Sequence, residues 1–423
     1  MAWSEREAEE HLLGLELFGM RFGVDRMHRL TTALGMPQRR FAQIHVVGSN
    51  GKSSTVRFAA AILERHGLRT GSYTSPHLRR FRERIEVGEE PVSARRFAAA
   101  VERVAGAAEL VDRAAGAEDD RITQFEALTA AAFHELAARD VEVAVVEAGL
   151  GGRYDATNVI PSRVQVLTGV GLEHTRWLGP TIADIAAEKL AVVRDHATLV
   201  VAPDLHPEAR TVAERVAAER HARLLVAPAA TAQMSGEALE LRAHGGFQRR
   251  NFALARTAAE ALLGRPLDER AVRRAAAETR IPGRMDVVSE SPLTIYDGAH
   301  NPAGAAALAA AVPELVRDRA PVVLVVSVLD DKDAAEMLAE LMPLADAVVA
   351  TRCSNPRALP PATLAALAAK LGDVEAEIVA APQAAVGRAR ELAGAAGAVL
   401  ATGSIYLVAD LTRPAGEVRS STL

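Results

Sequence analysis

The chain has 423 residues, of which 49% are hydrophobic and 24% charged, and its formal net charge is −5 at pH 7. This length exceeds what one hydrophobic core normally holds, so we expect more than one globular domain. The lack of a basic excess argues against a nucleic-acid partner, and the single cysteine, Cys353, excludes an intramolecular disulfide and a cysteine metal cluster. The charged N-terminus and the lack of a membrane-length apolar run predict a cytoplasmic protein.

Two helices, at 5–18 and about 24–35, are predicted before the first strong functional signal. That signal is the stretch 44–55, where an apolar strand pattern leads into Gly51-Lys52-Ser53 and a helical pattern continues from Val56. This order predicts a phosphate-binding loop, because backbone N–H groups and the helix dipole favour an anion there. The loop is shorter than the usual P-loop, and the alternative is an ordinary strand-to-helix turn with an exposed lysine.

The ends of the next strands provide candidate ligand-binding positions. A strand at 69–74 runs into a loop at Ser75, and a strand at 141–147 ends in Glu147. Helices are predicted between these strands, at 93–117 and 123–139. Ligands bind at the carboxyl ends of strands in α/β sheets, and a carboxylate there in a P-loop protein is the usual way to hold magnesium. The alternative for Glu147 is a surface glutamate at a strand end.

The segment after Glu147 contains a second glycine-rich loop, at 148–158, and then a strand at 164–171 that leads to His174. A histidine at a strand tip is by default a surface or packing residue. Beside Glu147 and Ser75, however, it becomes a candidate metal ligand. The alternation of strands and helices predicts an α/β fold with a mostly parallel sheet wound on both faces.

Lysine usage gives an independent signal. Only four of the 49 basic residues are lysines, namely Lys52, Lys189, Lys332 and Lys370. Where arginine supplies generic positive charge, a retained lysine indicates a need for its compact or deprotonatable amine. This argument favours Lys52 in the predicted phosphate loop, whereas chance retention suffices for Lys370 in an alanine-rich helix. Lys189 lies in a helix predicted at 182–193.

The second half of the chain predicts a smaller, Rossmann-like α/β domain. Two strand–helix alternations and a loop at 227–237 are expected over 200–240, followed by helices at 251–263 and 271–279. Further strands are expected at 293–297, 322–328, 347–351, 377–379 and 399–402. Proline and glycine in Ile281-Pro-Gly-Arg-Met285 break the preceding helix. We therefore predict a P-loop ATP-binding domain over 1–280, a linker at 281–286 and a second domain over 287–423.

Taken in order, these motifs resemble the Mur-type ATP-dependent amide ligases, specifically folylpolyglutamate synthase, a family often bifunctional with dihydrofolate synthase. The resemblance runs from about Phe18 to Asp410. The motifs are Gly48–Ser54, Ser75–Leu78, Phe81–Arg84, Glu147–Asn158, His174–Gly179, Glu188–Lys189, Pro282–Arg284, Asp297–Pro302, Asp331–Asp333, Asn355–Arg357 and Gly403–Tyr406. Each motif is short, but this many in one order is highly specific.

The resemblance implies a nucleotide site built from several parts. The implied ATP contacts are Asn50, Gly51, Lys52, Ser53, Ser54, Asn251, Arg284 and Asp297. The implied magnesium ligands are Ser75, Glu147 and His174, and the implied catalytic residues are Lys52, Lys189 and His300. Lys189 is expected to be a carbamate, whose two anionic oxygens suit magnesium as the bare lysine does not.

The resemblance also implies an acid substrate bound against three segments. Their residues are Gly23, Val24, Asp25, Arg26, Thr123, Gln124, Phe125, Glu126, Tyr154, Asp155 and Ala156. The implied reaction adds L-glutamate to (tetrahydro)folate and, if the protein is bifunctional, also to dihydropteroate. ATP converts the acid to an acyl phosphate, the incoming amine attacks it, and ADP and phosphate are released. A monomer with small-molecule substrates is expected, with neither nucleic acid nor membrane as a partner.

Three residues depart from the family pattern. Ser49, Ser53 and Phe247 stand where threonine, glycine and histidine are usual, and Ser53 could give magnesium a further hydroxyl ligand. Three other functions stay open: a related Mur-type ligase acting on a different acid, a non-catalytic ATP-binding switch, and a metabolic kinase. The switch would bind ATP without amine-dependent ADP release, and the kinase would release ADP without forming an amide.

Overall fold

The computed structural model describes residues 2–15, 23–115, 121–229, 239–372 and 374–413. The chain forms two compact units, each an α/β structure around its own mostly parallel sheet. One unit comprises Met1–Glu240 and Arg249–Thr279, and the other comprises Leu241–Gln248 and Arg280–Leu423. The predicted α/β class is confirmed. Within the described ranges, every helix is too short or too polar to span a bilayer.

The first unit is organised on an eight-stranded sheet. Its strands are β1 (Ala42–Val47), β2 (Thr70–Tyr73), β3 (Ile85–Val87), β4 (Glu90–Pro91), β5 (Val143–Glu147), β6 (Val164–Leu167), β7 (Thr198–Val201) and β8 (Arg223–Val226). Their spatial order is β4-β3-β2-β5-β1-β6-β7-β8. β1 runs parallel to β5 on one side and to β6 on the other, whereas β3 and β4 form an antiparallel edge. The strand that leads into the phosphate loop therefore lies inside the sheet, between two parallel neighbours.

Several of the helices up to residue 279 begin at residues whose side chains cap the first turn. They are α1 (Glu5–Gly14), α2 (Asp25–Ala33), α3 (Lys52–Glu64), α4 (Ala94–Ala115), α5 (Gln124–Ala138), α6 (Thr175–Leu178), α7 (Ile182–Leu190), α8 (Pro207–Glu219), α9 (Gly246–Leu263) and α10 (Glu269–Glu278). Thr123 with Glu126 and Thr181 with Asp184 form capping boxes at the starts of α5 and α7. These side chains satisfy N–H groups that have no partner within the first turn.

Helices and sheet enclose the hydrophobic core of the first unit. α1, α2, α4 and α5 pack around fully buried residues such as Met27 and Phe133, and α7 and α8 pack around Leu199. α3 packs against β2 and β5, and its Phe58 meets Phe252 of α9 edge to face at 5.2 Å. The loops at the carboxyl ends of β1, β2, β5 and β6 thus extend from a packed scaffold.

The second unit has a six-stranded sheet. Its strands are β9 (Asp286–Glu290), β10 (Leu293–Tyr296), β11 (Val322–Val326), β12 (Ala347–Ala350), β13 (Glu375–Ile378) and β14 (Ala398–Thr402). Its helices are α11 (Pro302–Val316), α12 (Ala334–Leu341), α13 (Pro361–Leu371), α14 (Pro382–Ala393) and α15 (Ile405–Thr412). The strand order is β13-β12-β11-β14-β10-β9, and among these six described strands only β9 pairs antiparallel. This is the predicted Rossmann-like sheet with one added edge strand.

The structure differs from the sequence-based element boundaries at several places. β9 is missing from the prediction because it is a partly exposed edge strand with an irregular register, which gives no clear hydrophobic alternation. The helix expected at 182–193 ends at Leu190, and the helix expected at 251–263 already begins at Gly246. Parts of the expected helices 5–18 and 93–117, and most of the expected loop 227–237, lie outside the described residues.

The segment Leu241–Gln248 belongs to the second unit, although the sequence-based division places it before the linker. Gly245, with φ = 96°, lies close to Met285 and Ala311. A Cβ atom at residue 245 would be 2.9 Å from the Met285 sulfur and 3.1 Å from the Ala311 Cβ. This close packing ties the segment to the sheet that follows, and Asp286, the last residue of the expected linker, already belongs to β9.

Candidate active site

The predicted phosphate loop lies between β1 and α3. β1 ends at Val47 and α3 begins at Lys52, so the positive end of the helix dipole faces the loop. Gly51 has φ = 85°, which favours glycine, and a Cβ atom there would collide with the side chain of Asn251. Asn251, expected as an ATP contact from a distant part of the sequence, is buried against the loop. The fold therefore brings these two candidate nucleotide-binding elements together.

The segment that follows β6 holds other residues of the loop. The Thr168 hydroxyl donates a hydrogen bond to the carbonyl of Asn50 at 2.6 Å. The Ser49 hydroxyl accepts one from the N–H of Gly171 at 3.0 Å, and Ser54 is buried in the first turn of α3. The loop is thus fixed to the segment that follows β6.

Two lysines converge on one carbonyl of this loop. Lys52 Nζ donates to the carbonyl oxygens of Gly48 at 2.9 Å and of Ser49 at 3.1 Å. Lys189 Nζ donates to the same Gly48 oxygen at 3.1 Å, although it lies 141 residues further along the chain. The fold therefore places both predicted catalytic lysines at the phosphate loop.

Glu173 is the ionic partner of Lys189, at 2.9 Å. Burial lowers the pKa of Lys189, and the nearby charge of Lys52 acts in the same direction, whereas Glu173 opposes the shift. Burial alone would raise the pKa of Glu173, but the charges of Lys189 and Lys52 outweigh burial and lower that pKa to about 2. Glu173 is therefore a carboxylate at any physiological pH, and Lys189 loses its proton more readily than an exposed lysine.

The carboxylate of Glu147 contacts two serines, namely the expected metal ligand Ser75 and the expected ATP contact Ser53. Glu147 is 2% exposed at the end of β5. Its Oε1 accepts a hydrogen bond from the Ser53 hydroxyl at 3.0 Å, and its Oε2 accepts one from the backbone N–H of Ser75 at 3.1 Å. Ser53, Ser75 and Glu147 thus meet beside the first turn of α3.

His174 follows Glu173 directly and precedes α6. Its backbone is left-handed, with φ = 48°, and its side chain is exposed. The histidine is therefore next in the chain to the residue that holds Lys189, at the end of the segment leaving β6.

A buried ion pair assembles two of the three expected acid-binding segments. Arg26 Nε lies 3.0 Å from Glu126 Oε1 and 3.2 Å from Oε2, and both side chains are less than a tenth exposed. Glu126 also accepts hydrogen bonds from the N–H and hydroxyl of Thr123, and Gln124 donates to the Leu12 carbonyl at 2.8 Å. These polar groups join α1, α2 and α5 to one another. The remaining residues of the first segment, Gly23, Val24 and Asp25, form the start of α2.

Phe125 connects the second segment to the glycine-rich loop. A Cβ atom at Gly149 would be 2.5 Å from Phe125 Cζ, so only glycine allows the loop to pass this close to the ring. The Phe125 ring also lies 6.3 Å from that of Tyr73, whose hydroxyl pairs with Thr129 at 3.1 Å. The result is an aromatic wall beside the end of β5.

Asp155 holds the glycine-rich loop in shape. Its Oδ2 accepts the N–H of Leu150 at 2.8 Å, and its Oδ1 accepts the N–H of Thr157 at 3.0 Å and the Thr157 hydroxyl. Burial raises the pKa of Asp155, and these hydrogen bonds oppose the shift. The side chain is thus used within the loop. Tyr154 and Ala156 flank it, Ala156 at the start of a short 3-10 turn that ends at Val159.

The second unit brings together the remaining expected nucleotide contacts. Asp297, 3% exposed at the end of β10, accepts the N–H groups of Met285 at 2.8 Å and Ala299 at 2.7 Å. Burial raises its pKa, and the Arg284 guanidinium opposes that shift. The Nδ1 of His300 lies 3.0 Å from the Gly298 carbonyl. Arg284, Asp297 and His300 therefore form one cluster around the loop that follows β10.

Comparison with known proteins decides the family. Residues 283–405 match the family described as Mur ligase, glutamate ligase domain. Over 389 residues the chain is 36% identical to the dihydrofolate synthase/folylpolyglutamate synthase of Mycobacterium tuberculosis, covering 83% of this chain and 78% of that protein. The chain belongs to the folylpolyglutamate synthase/dihydrofolate synthase family. This confirms the resemblance inferred from the motifs, and with it the prediction of a ligase.

Solved structures of family members agree with this assignment. The chain superimposes on the Mycobacterium tuberculosis folylpolyglutamate synthase complexed with ADP with a TM-score of 0.89 and 31% identity, covering 97% of this chain and 98% of the other. For Escherichia coli FolC in complex with DHPP and ADP, the TM-score is 0.84 and the identity 28%, with 96% of each chain covered. The folylpolyglutamate synthase/dihydrofolate synthase fold thus accounts for both sheets of the chain.

The donor set around Glu147 fits the divalent cation expected of a folylpolyglutamate synthase/dihydrofolate synthase. A carboxylate and serine hydroxyls are hard oxygen ligands, which magnesium prefers. In the described part of the chain, no group of three or more His, Cys, Asp or Glu side chains is arranged for a metal ion. The expected set includes only two such side chains, Glu147 and His174, so hydroxyls, water and phosphate oxygens would complete the coordination.

Two contacts of the candidate site residues are not evident from the sequence of this family member. The first is the ion pair of Lys189 with Glu173, the residue before His174. The second is the contact of Ser53 with Glu147, which spans 94 residues. A buried lysine requires a counter-charge, so the prediction of a functional Lys189 already demanded a carboxylate. No sequence pattern tells which of the 54 acidic residues supplies it.

Proposed function

We propose that the protein is an ATP-dependent ligase that adds L-glutamate to folate or dihydropteroate and releases ADP and phosphate. The observation that supports this most directly is the convergence of Lys52, Lys189 and the Ser53–Glu147 pair on one phosphate loop. The acid-binding segments assembled by Arg26 and Glu126 lie in the same unit. A relative bound to DHPP and ADP, and a C-terminal match to a glutamate ligase domain, support the choice of substrates.

The chemistry follows from the weakness of a carboxylate as an acyl donor. Its oxygen attacks the γ-phosphate of ATP, which forms an acyl phosphate and releases ADP. The α-amine of glutamate then attacks the acyl carbon, and inorganic phosphate leaves from the tetrahedral intermediate. Phosphoryl transfer needs charge stabilisation and positioning rather than covalent help. Lys52 and the N-terminus of α3 are suited to that role.

To contact a nucleotide phosphate, Lys52 must exchange partners. Its Nζ hydrogen-bonds to the carbonyls of Gly48 and Ser49 in the loop. Anionic phosphate oxygens make stronger, charge-assisted hydrogen bonds than neutral carbonyls do. We therefore propose that the ammonium group moves from these carbonyls to the phosphate as ATP binds.

We propose that Ser75, Glu147 and His174, assisted by Ser53, hold a magnesium ion at the phosphates. When bound, the ion would neutralise phosphate charge. We also propose that Lys189 is carried as a carbamate. Its neutral amine adds to the carbon of CO₂ and releases one proton. Burial, which lowers the pKa of Lys189, favours the neutral amine that this addition needs.

In the second unit, we propose that Arg284 and Asp297 contact the nucleotide and that His300 lies near the reacting groups. This proposal is supported by the loop after β10, around which the three residues cluster and where two backbone N–H groups fix Asp297. We further propose that the protein works as a monomer in the cytoplasm with neither nucleic acid nor membrane as partner. Its net charge of −5 supports the exclusion of nucleic acid.

The experiment is an assay of phosphate release with each pair of acid and amine. Dihydropteroate and tetrahydrofolate are combined in turn with L-glutamate and with D-glutamate, and the products are identified by mass spectrometry. We expect ADP, phosphate and amide in equal amounts with L-glutamate and at least one of these acids. ADP without amide would favour a kinase, and ATP binding without glutamate-dependent ADP release would favour a switch. Turnover only with some other acid would favour a related ligase.

A further inference from the structure

A chain of buried hydrogen bonds runs from the central strand of the first unit to the glycine-rich loop. The Nε2 of His45 lies 2.8 Å from the Thr157 hydroxyl, and that hydroxyl also contacts Asp155 Oδ1. His45 and Thr157 are fully buried, and Asp155 is 6% exposed. No solvent is available to replace a lost partner at such depth, so each link is costly to break.

The acceptors in this hydrogen-bond network determine which group donates in each bond. Both oxygens of Asp155 already accept backbone N–H groups, one from Leu150 and one from Thr157, as a carboxylate does. The Thr157 hydroxyl therefore donates its proton to Asp155 and accepts a hydrogen bond from His45. Burial lowers the pKa of His45 to about 3, so the ring is neutral at physiological pH and carries its proton on Nε2.

His45 is placed to connect two functional loops. It lies in β1, whose register sets it between β5 and β6, and the phosphate loop begins three residues later at Gly48. At the other end, Asp155 closes the glycine-rich loop, in which Gly149 passes against Phe125. A Cβ atom at Gly152 of the same loop would be 2.5 Å from the backbone oxygen of Lys189. A shift of this loop would therefore disturb both its contact with the Phe125 ring and its contact with the backbone of α7 at Lys189.

We propose that His45 and Thr157 are positioning residues for the acid substrate, which act by fixing Asp155 and with it the glycine-rich loop. The Asp155 carboxylate orders the loop, and the backbone and neighbouring side chains of the loop receive the acid. This inference rests on the proposed function, because the loop is an acid-binding segment only if the protein is the ligase proposed above. It adds no chemical step to the reaction.

The test compares two substitutions of Thr157 that differ in whether the hydroxyl is kept. Thr157→Val keeps the shape of the side chain but removes the hydroxyl, whereas Thr157→Ser keeps the hydroxyl. We expect Thr157→Val to raise KM for the acid about tenfold, the change that follows from loss of one buried hydrogen bond. KM for ATP and KM for glutamate should stay within about twofold of wild type, and Thr157→Ser should stay close to wild type.

His45 allows the same test from the other end, so the result does not depend on the folding of one variant. His45→Leu removes the donor, and His45→Gln retains an N–H at a similar reach. The double variant His45→Leu/Thr157→Val should show less than the sum of the two single effects, because both break one hydrogen bond. Thermal unfolding of each variant identifies the ones that are folded.

The outcomes separate this inference from the proposed function. A wild-type protein that converts neither acid overturns both. If the wild type converts the acid, and folded variants that lack the donor show an unchanged KM for the acid, the positioning role alone is overturned. Equal increases in KM for all three substrates would also overturn it, since they would reflect general damage to the fold.

Discussion

The hydroxyl of Ser53 donates a hydrogen bond to Glu147 at 3.0 Å, and this pair joins the first turn of α3 to the end of β5. If Glu147 holds a divalent cation, Ser53 fixes the orientation of a metal ligand. Residues in that role usually affect metal affinity by 10-fold or more.

Ser53→Gly is therefore expected to weaken binding of Mn²⁺ about 10-fold in the presence of ADP, because Glu147 loses a partner that orients it. The measurement is Mn²⁺ titration followed by electron paramagnetic resonance, with the metal dependence of phosphate release as a second readout. Ser53→Thr retains the hydroxyl and is the matched control. Equal Mn²⁺ affinity in wild type and Ser53→Gly would show that the hydrogen bond has no such role.

Lys52→Ala is expected to reduce amide formation roughly 100-fold or more, the loss typical of removing a charge-stabilising group from a phosphoryl-transfer site. The fold should survive, because the hydrogen bonds that Nζ makes to described residues go to two carbonyls of its own loop. Lys370→Ala is the control, since that lysine is exposed near the end of α13. The assay is steady-state phosphate release with product analysis, and a Lys52→Ala variant that makes amide at the wild-type rate would contradict the assignment.

Lys189→Ala is expected to abolish turnover and also to destabilise the first unit. In the protein whose Lys189 amine is free, removing the lysine leaves Glu173 buried without its ionic partner, which typically costs about 3 kcal/mol. Urea unfolding would measure this loss, and Lys189→Ala/Glu173→Gln should recover part of it. Short-chain carboxylic acids should restore some activity to Lys189→Ala by supplying the oxygens of the missing carbamate. A lack of rescue in a folded variant would argue against the carbamate.

The protein is expected to lose stability in mild acid because of His45. Its pKa of about 3 in the fold lies below the ordinary value of 6.5, so the unfolded chain binds a proton that the native state excludes. Stability is thus complete above pH 6.5 and falls by about 1.4 kcal/mol per pH unit between pH 6.5 and 3. Urea unfolding at pH 7, 6 and 5 measures the slope. His45→Gln should show a smaller slope, and an identical one would refute the assignment to this residue.

Features encoded in short segments were accessible from the sequence. The order of apolar strand, glycine loop and helix located the phosphate loop, and the carboxylate at the end of a strand located Glu147. The sequence also predicts a helix at 123–139, and α5 begins there, with a capping box formed by Thr123 and Glu126. In each case the physical cause lies within a few residues of chain.

Features that depend on packing between distant segments were not accessible. His45 and Thr157 are 112 residues apart, and neither the strand pattern around His45 nor the loop around Thr157 signals the other. The antiparallel β9 was missed for a different reason, since a partly exposed edge strand has little hydrophobic alternation to detect.

The shared carbonyl of Gly48 has a consequence for the two lysines that bond to it. An anion that draws Lys52 away leaves this oxygen to Lys189 alone, so the energy of one ammonium group depends on the state of the other. Such coupling is reciprocal in any equilibrium. If Lys189 takes up CO₂ as proposed, then by whatever factor nucleotide changes this uptake, CO₂ changes the affinity for nucleotide by the same factor. The dissolved CO₂ concentration is then a variable that every measurement of nucleotide affinity on this protein has to fix.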